Sequence, residues 1–97
     1  MKKALIVGLN NYPGCELAWC DNDAIAMKEL IESNGDGSPN FEVIPITDSC
    51  TKSNLESAIR KLFADDADIA LLYFSGHGAD ADGGYLCTTD FSENDYG

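Results

Sequence analysis

At 97 residues with 44% apolar side chains, the chain is one compact unit at most, near the small end for a domain that must bury its own core. Six Lys and Arg against seventeen Asp and Glu give a formal charge of −11. So few cations argue against a surface that neutralises a phosphate backbone, and hence against a nucleic-acid partner.

Met1-Lys2-Lys3 leads into Ala4 to Leu9, a run too short for a signal-peptide core or a membrane span. The expectation is a cytoplasmic protein with no membrane partner. Cys15, Cys20, Cys50 and Cys87 lie far apart and form no C-x-x-C pair, a pattern of reduced thiols rather than a disulfide framework. With His77 as the single histidine, no metal site is expected. Calcium loops counted from Asp80 or Asn34 place Phe91 or Pro45 where a bidentate Glu is needed.

Ala4 to Leu9 is a continuous apolar run, as in a strand covered on both faces, and Asn10 to Gly14 ends it. Ala24, Met27, Leu30 and Ile31 then recur at helical spacing, with Asp21 as the expected cap and Asn34-Gly35 as the stop. Phe41, Val43, Ile44 and Ile46 form a second strand, and Pro45 marks it as an edge strand. Thr51 or Ser53 can cap a second helix, Ser53 with Glu56 fitting a capping box. Its apolar stripe is Leu55, Ala58, Ile59, Leu62 and Phe63, and Glu56 pairs with Arg60.

Beyond the acidic loop 65–68, Ile69 to Phe74 is the most apolar run and the expected central strand. It runs into Ser75-Gly76-His77-Gly78, and after a turn at 80–84 a short fourth strand is expected at Tyr85-Leu86-Cys87. Strands alternating with helices imply right-handed crossovers and a mostly parallel sheet, so the fold class is α/β. In such sheets the loops after the carboxyl ends of the strands share one edge, which brings Asn10 to Asp23, Asp48 and Ser75 to Gly78 together.

His77 lies between two glycines directly after the expected central strand. It is either a polar loop residue or a general base for a Ser or Cys nucleophile supplied from elsewhere. Glycine-rich phosphate loops are excluded, because Gly8-Leu9-Asn10-Asn11 has neither standard spacing.

Three stretches together resemble the caspase-like cysteine peptidases of the metacaspase branch, peptidase family C14. They are Lys3-Ala4-Leu5-Ile6-Val7-Gly8-Leu9-Asn10-Asn11-Tyr12, Leu17-x-x-Cys20-x-Asn22-Asp23-Ala24 and Tyr73-Phe74-Ser75-Gly76-His77-Gly78. Gly84-Tyr85-Leu86 to Asp90 is similar to the segment after the histidine in bacterial members. The resemblance implies a three-layer αβα, Rossmann-like sandwich, with the 97 residues as the amino-terminal part of a single domain, incomplete in this chain. It implies a histidine after the third strand, matched by His77, paired with a cysteine after the fourth in a thioester mechanism. By the same match the Gly78 amide helps bind the oxyanion, Ser75 and Gly76 lie by the substrate, and Asp23 lines a pocket for Arg or Lys. The other reading of Asp23 is helix capping or a first-turn acid interacting with the helix dipole.

No cysteine here fits the nucleophile. The family spacing puts it about 50 residues beyond the histidine, whereas twenty residues follow His77. Cys87, ten residues on, reads as a small buried hydrophobe. The expected partners are a peptide or protein substrate and the remaining carboxyl-terminal part of the domain carrying the catalytic Cys. No cofactor is expected, and the calcium dependence of some metacaspases finds no motif here. The rival readings are a catalytically inactive caspase-like binding or regulatory module and a small flavodoxin-like binding domain.

Overall fold

The computed structural model describes residues 1–64, 66–79 and 85–90. The elements run β1 (Lys2–Leu9), α1 (Cys20–Ile31), β2 (Phe41–Asp48), α2 (Lys52–Ala64), β3 (Ile69–Ser75), β4 (Gly78–Ala79) and β5 (Tyr85–Leu86). β1, β2 and β3 form a parallel sheet in the order β2-β1-β3, and β4 pairs antiparallel with β5 outside it. The fold is α/β, as expected, and accords with part of a caspase-like sandwich.

Strand side chains alternate between faces, and β1 uses both. Leu5, Val7 and Leu9 pack with Leu55 and Leu62 of α2. Ala4 and Ile6 pack with Ala24, Met27 and Ile31 of α1 on the opposite face. The helices therefore sandwich the sheet, and β1 carries the core of both layers.

Among the described residues the centre of the sheet is not the expected Ile69–Phe74 strand. β1 is the centre, bonded to β2 from Lys2↔Phe41 to Leu9↔Asp48 and to β3 from Lys2↔Ile69 to Gly8↔Ser75. Among the described residues β3 pairs with β1 alone, and its side chains beyond Ile69 are half-buried. A continuous apolar run reports covered faces, not the number of paired neighbours. β2, with Pro45, is an edge strand among the described residues. Tyr85 and Leu86 do form a strand, but in the small hairpin with β4 rather than in the main sheet. The turn expected at 80–84, Asp65 of the acidic loop and the last seven residues lie outside the described residues.

The helices also depart from the sequence reading in detail. α1 begins at Cys20 with Trp19 at the cap position, so Asp21 falls inside the first turn. The helix ends at Ile31, and Asn34 belongs instead to the following turn, where its N–H bonds Ser38 C=O at 2.8 Å. Leu30 is 73% exposed and Phe63 59% exposed, so each helix buries a narrower stripe than its apolar spacing implied. In α2 Ser53 lies in the first turn, and Thr51 is the capping residue, its Oγ1 accepting the Asn54 N–H at 3.2 Å. Glu56 and Arg60 pair at 3.6 Å on the exposed face. Among the described residues no helix is long and apolar enough to cross a membrane.

Gly8 decides where α1 sits. A Cβ at this position would collide with the Cys20 carbonyl and the Ala24 methyl, so only a bare backbone lets the helix approach β1 this closely. That approach sets the amino end of α1 beside the carboxyl end of β1. Gly8→Ala should therefore destabilise the protein by about 1–3 kcal/mol through overpacking. Urea unfolding checks this, and an unchanged midpoint would show that the helix is not seated on the strand.

Candidate active site

The loop after β1 is held to its neighbours by main-chain bonds before any reactive side chain enters. Asn10 N–H and Asn11 N–H both donate to Asp48 C=O, at 3.1 and 3.0 Å. Asp48 has φ 71°, a left-handed conformation that Asp tolerates better than most residues. The buried Asn10 side chain accepts the Cys20 N–H at 2.9 Å and so caps α1 from outside the helix. Asn10 C=O takes the Tyr12 and Leu17 N–H groups at 2.9 and 2.8 Å, folding the loop back on itself. Asp21, the expected cap, accepts the N–H of its neighbour Asn22 at 2.8 Å.

His77 comes to this loop from the end of β3. Its Nε2 lies 2.7 Å from Cys15 C=O, and its ring meets Tyr12 edge to face, with centroids 4.5 Å apart and planes at 72°. A carbonyl only accepts, so Nε2 carries the proton and the lone pair of the neutral ring resides on Nδ1. The Tyr12 hydroxyl, buried beneath, accepts the His77 N–H at 3.1 Å and donates to Cys87 C=O at 2.6 Å. Burial raises the Tyr12 phenol above its ordinary 10.0, outweighing the opposing His77 bond, so it keeps the proton it donates.

A cavity of about 240 Å³ opens here, lined by Tyr12, Pro13, Cys15, His77, Gly78 and Cys87 together with Thr89. Cys87 N–H donates to His77 C=O at 2.9 Å. The next pair, Gly78 and Leu86, is therefore a non-bonded pair of the antiparallel ladder, and the Gly78 N–H points away from β5. Asp23 is exposed in the first turn of α1, and Ser75 Oγ donates to its Oδ2 at 3.4 Å.

The structure thus brings Asp23 and Ser75 together at the sheet edge, and His77, Gly78 and Cys15 together around the cavity. Gly76 packs under the Tyr12 hydroxyl, where a Cβ would strike the oxygen. Two of the four thiols are poorly suited to attack: Cys87 and Cys50 are buried, and burial raises both above their ordinary 9.0, whereas Cys15 is exposed and Cys20 half-buried. Among the described residues no three His, Cys, Asp or Glu side chains cluster to hold a metal ion. Sequence reading missed Asn10 and Tyr12. The signal was there in part, since an Asn at a strand end can cap a following helix.

The segment after β5 ties the cavity to α2. Thr89 N–H donates to Cys50 C=O and Cys50 N–H to Thr89 Oγ1, both at 3.0 Å, while Asp90 Oδ1 accepts the Lys52 N–H at 3.0 Å. The Thr88 hydroxyl, aided by the Lys52 N–H, holds the Asp90 carboxyl below its ordinary 3.8. A carboxyl depressed in the folded state contributes stability above its unfolded value and loses it as pH falls through the folded one. The stability gap between wild type and Asp90→Ala should be constant above about pH 5 and close below about pH 4. Urea midpoints across that range check this. Asn10→Ala, which leaves the α1 end uncapped, should cost about 1 kcal/mol or more at neutral pH by the same method.

Residues 1–95 match the caspase domain family. Metacaspase-4 of Arabidopsis thaliana is 38% identical over 86 residues, covering 79% of this chain and 20% of the relative. The chain thus spans about a fifth of that relative's length. No solved structure matches. The family match runs through the central strand, both helices and the histidine segment, and on that ground the chain belongs to the caspase-domain family of peptidases, as a relative of the metacaspases.

Proposed function

We propose that these residues are the amino-terminal, histidine-bearing part of a single caspase-like domain that hydrolyses peptide bonds as a cysteine endopeptidase after Arg or Lys. The observation that carries the reading is His77 at the cavity, with Nε2 engaged by the Cys15 carbonyl at 2.7 Å. That bond leaves Nδ1 as the base. In the reaction Nδ1 takes the proton of a cysteine thiol that a further part of the domain supplies, and the thiolate attacks the scissile carbonyl. The Gly78 N–H, directed away from β5, donates to the developing oxyanion, and the imidazolium returns its proton to the leaving amine. Water then attacks the thioester with the neutral ring again as base.

The acidic balance of the chain supports the preference for a basic side chain before the cut. A charge of −11 favours the approach of cationic peptides. The Asp23 carboxylate, hydrogen-bonded by Ser75, offers a guanidinium a planar acceptor.

The chain alone should be inactive, and mixing it with the complementary segment should give cleavage of Arg- and Lys-ending reporter peptides. His77→Ala in the mixture should reduce turnover to background. Asp23→Ala should lower kcat/KM for Arg reporters by roughly tenfold while leaving neutral reporters unchanged. Activity that survives His77→Ala defeats the catalytic role. A complement with no reactive thiol would favour the inactive regulatory module instead.

A further inference from the structure

In an antiparallel ladder the two residues of a hydrogen-bonded pair exchange two bonds. Between His77 and Cys87 one is direct, from Cys87 N–H to His77 C=O at 2.9 Å. The other runs through a side chain of another loop: His77 N–H donates to the Tyr12 hydroxyl at 3.1 Å, which donates in turn to Cys87 C=O at 2.6 Å. The hydroxyl is wedged into the ladder, accepting and donating through one oxygen.

Tyr12 also governs the ring. Its own ring meets the imidazole edge to face at 4.5 Å, and its C=O accepts the Cys15 N–H at 3.0 Å. Cys15 C=O in turn takes the imidazole Nε2. Glycine at position 76 belongs to the same arrangement, because a side chain there would collide with the hydroxyl.

We propose that Tyr12 is a positioning residue: its hydroxyl, held between the His77 and Cys87 main chains, sets the imidazole against the Cys15 carbonyl and so keeps Nδ1 free for proton transfer. The inference deepens the peptidase reading and rests on it for the use of Nδ1. Removing the oxygen lets His77 N–H close directly onto Cys87 C=O, drawing the histidine main chain inward by roughly 1–2 Å. The ring then leaves Cys15. Packing at position 12 would be little changed by Tyr12→Phe, which keeps the aromatic ring.

The test uses the single histidine of the chain, whose imidazole N–H gives an unambiguous signal in a long-range proton–nitrogen spectrum. In the wild type the Nε2–H should be protected from exchange. In Tyr12→Phe its exchange should accelerate by about tenfold or more while the β1 amides stay protected. Gly76→Ala, which keeps the tyrosine but displaces its hydroxyl, should do the same, and combining the two should add less than their sum. Leu55→Ala, a core truncation, should lower stability without moving the signal, which separates positioning from general destabilisation.

An unchanged Nε2–H in folded Tyr12→Phe overturns the proposal. Should that variant fail to fold, an unchanged signal in Gly76→Ala overturns it alone. The spectrum is read without substrate or complementary segment, so its failure and the failure of the peptidase reading are distinguishable.

Discussion

Burial of β1 on both faces, with a paired strand at each edge, is the constraint on which the remaining structure depends. Leu5, Ile6, Val7 and Leu9 are all fully enclosed. Their alternation assigns one set to α2 and the other to α1. A slip of one residue would exchange the sets and present Leu5 and Val7 to the face fitted around Ala24. It would also carry Asn10 away from Cys20 and Asp48, and Tyr12 away from His77. The accuracy of the cavity is therefore inherited from the packing of a strand that contributes no reactive group to it.

Main-chain groups do most of the work around the imidazole. A carbonyl, that of Cys15, fixes which ring nitrogen bears the proton without setting a charge beside the ring. The lining also includes the Tyr12 phenol, kept protonated by burial, and the Cys87 thiol, likewise held protonated. The chain is strongly acidic, yet among the described residues no carboxylate lines this cavity. Asp23 is at the same sheet edge but on α1, bonded to Ser75. In the proposed peptidase reading, proton transfer and charge recognition therefore fall to different parts of one edge, and each can be altered without directly changing the other.

The elements were legible in the sequence because each rests on local pattern: apolar runs for β1 and β3, helical spacing for α1 and α2, Pro45 for an edge strand. The convergence of Asn10, Asp48, Asp23 and Ser75 to His77 at one edge followed from parallel topology alone. What stayed hidden depends on contacts distant in sequence. Apolar character does not reveal which run has neighbours on both sides; among the described residues that strand is β1, not β3. Leu30 and Phe63 fit the helical stripe but remain exposed beside the three strands that the described residues form. The Tyr12 wedge joins residues 65 and 75 positions apart, and no local rule announces it.

That wedge is one link in a closed series of bonds. From β1 the chain reaches Tyr12, whose hydroxyl holds His77 and Cys87. Two residues on, Thr89 is bonded to Cys50, and Asp90 takes the first N–H of α2. α2 in turn packs on β1 through Leu55 and Leu62. The series returns to its start through the hydrophobic layer, so the histidine is constrained from both sides: by β3 along the chain and by α2 through the β5 segment. A hairpin as short as β4 and β5 would be marginal by itself. Here it needs no independent stability, because each end is tied to an element already fixed by the core.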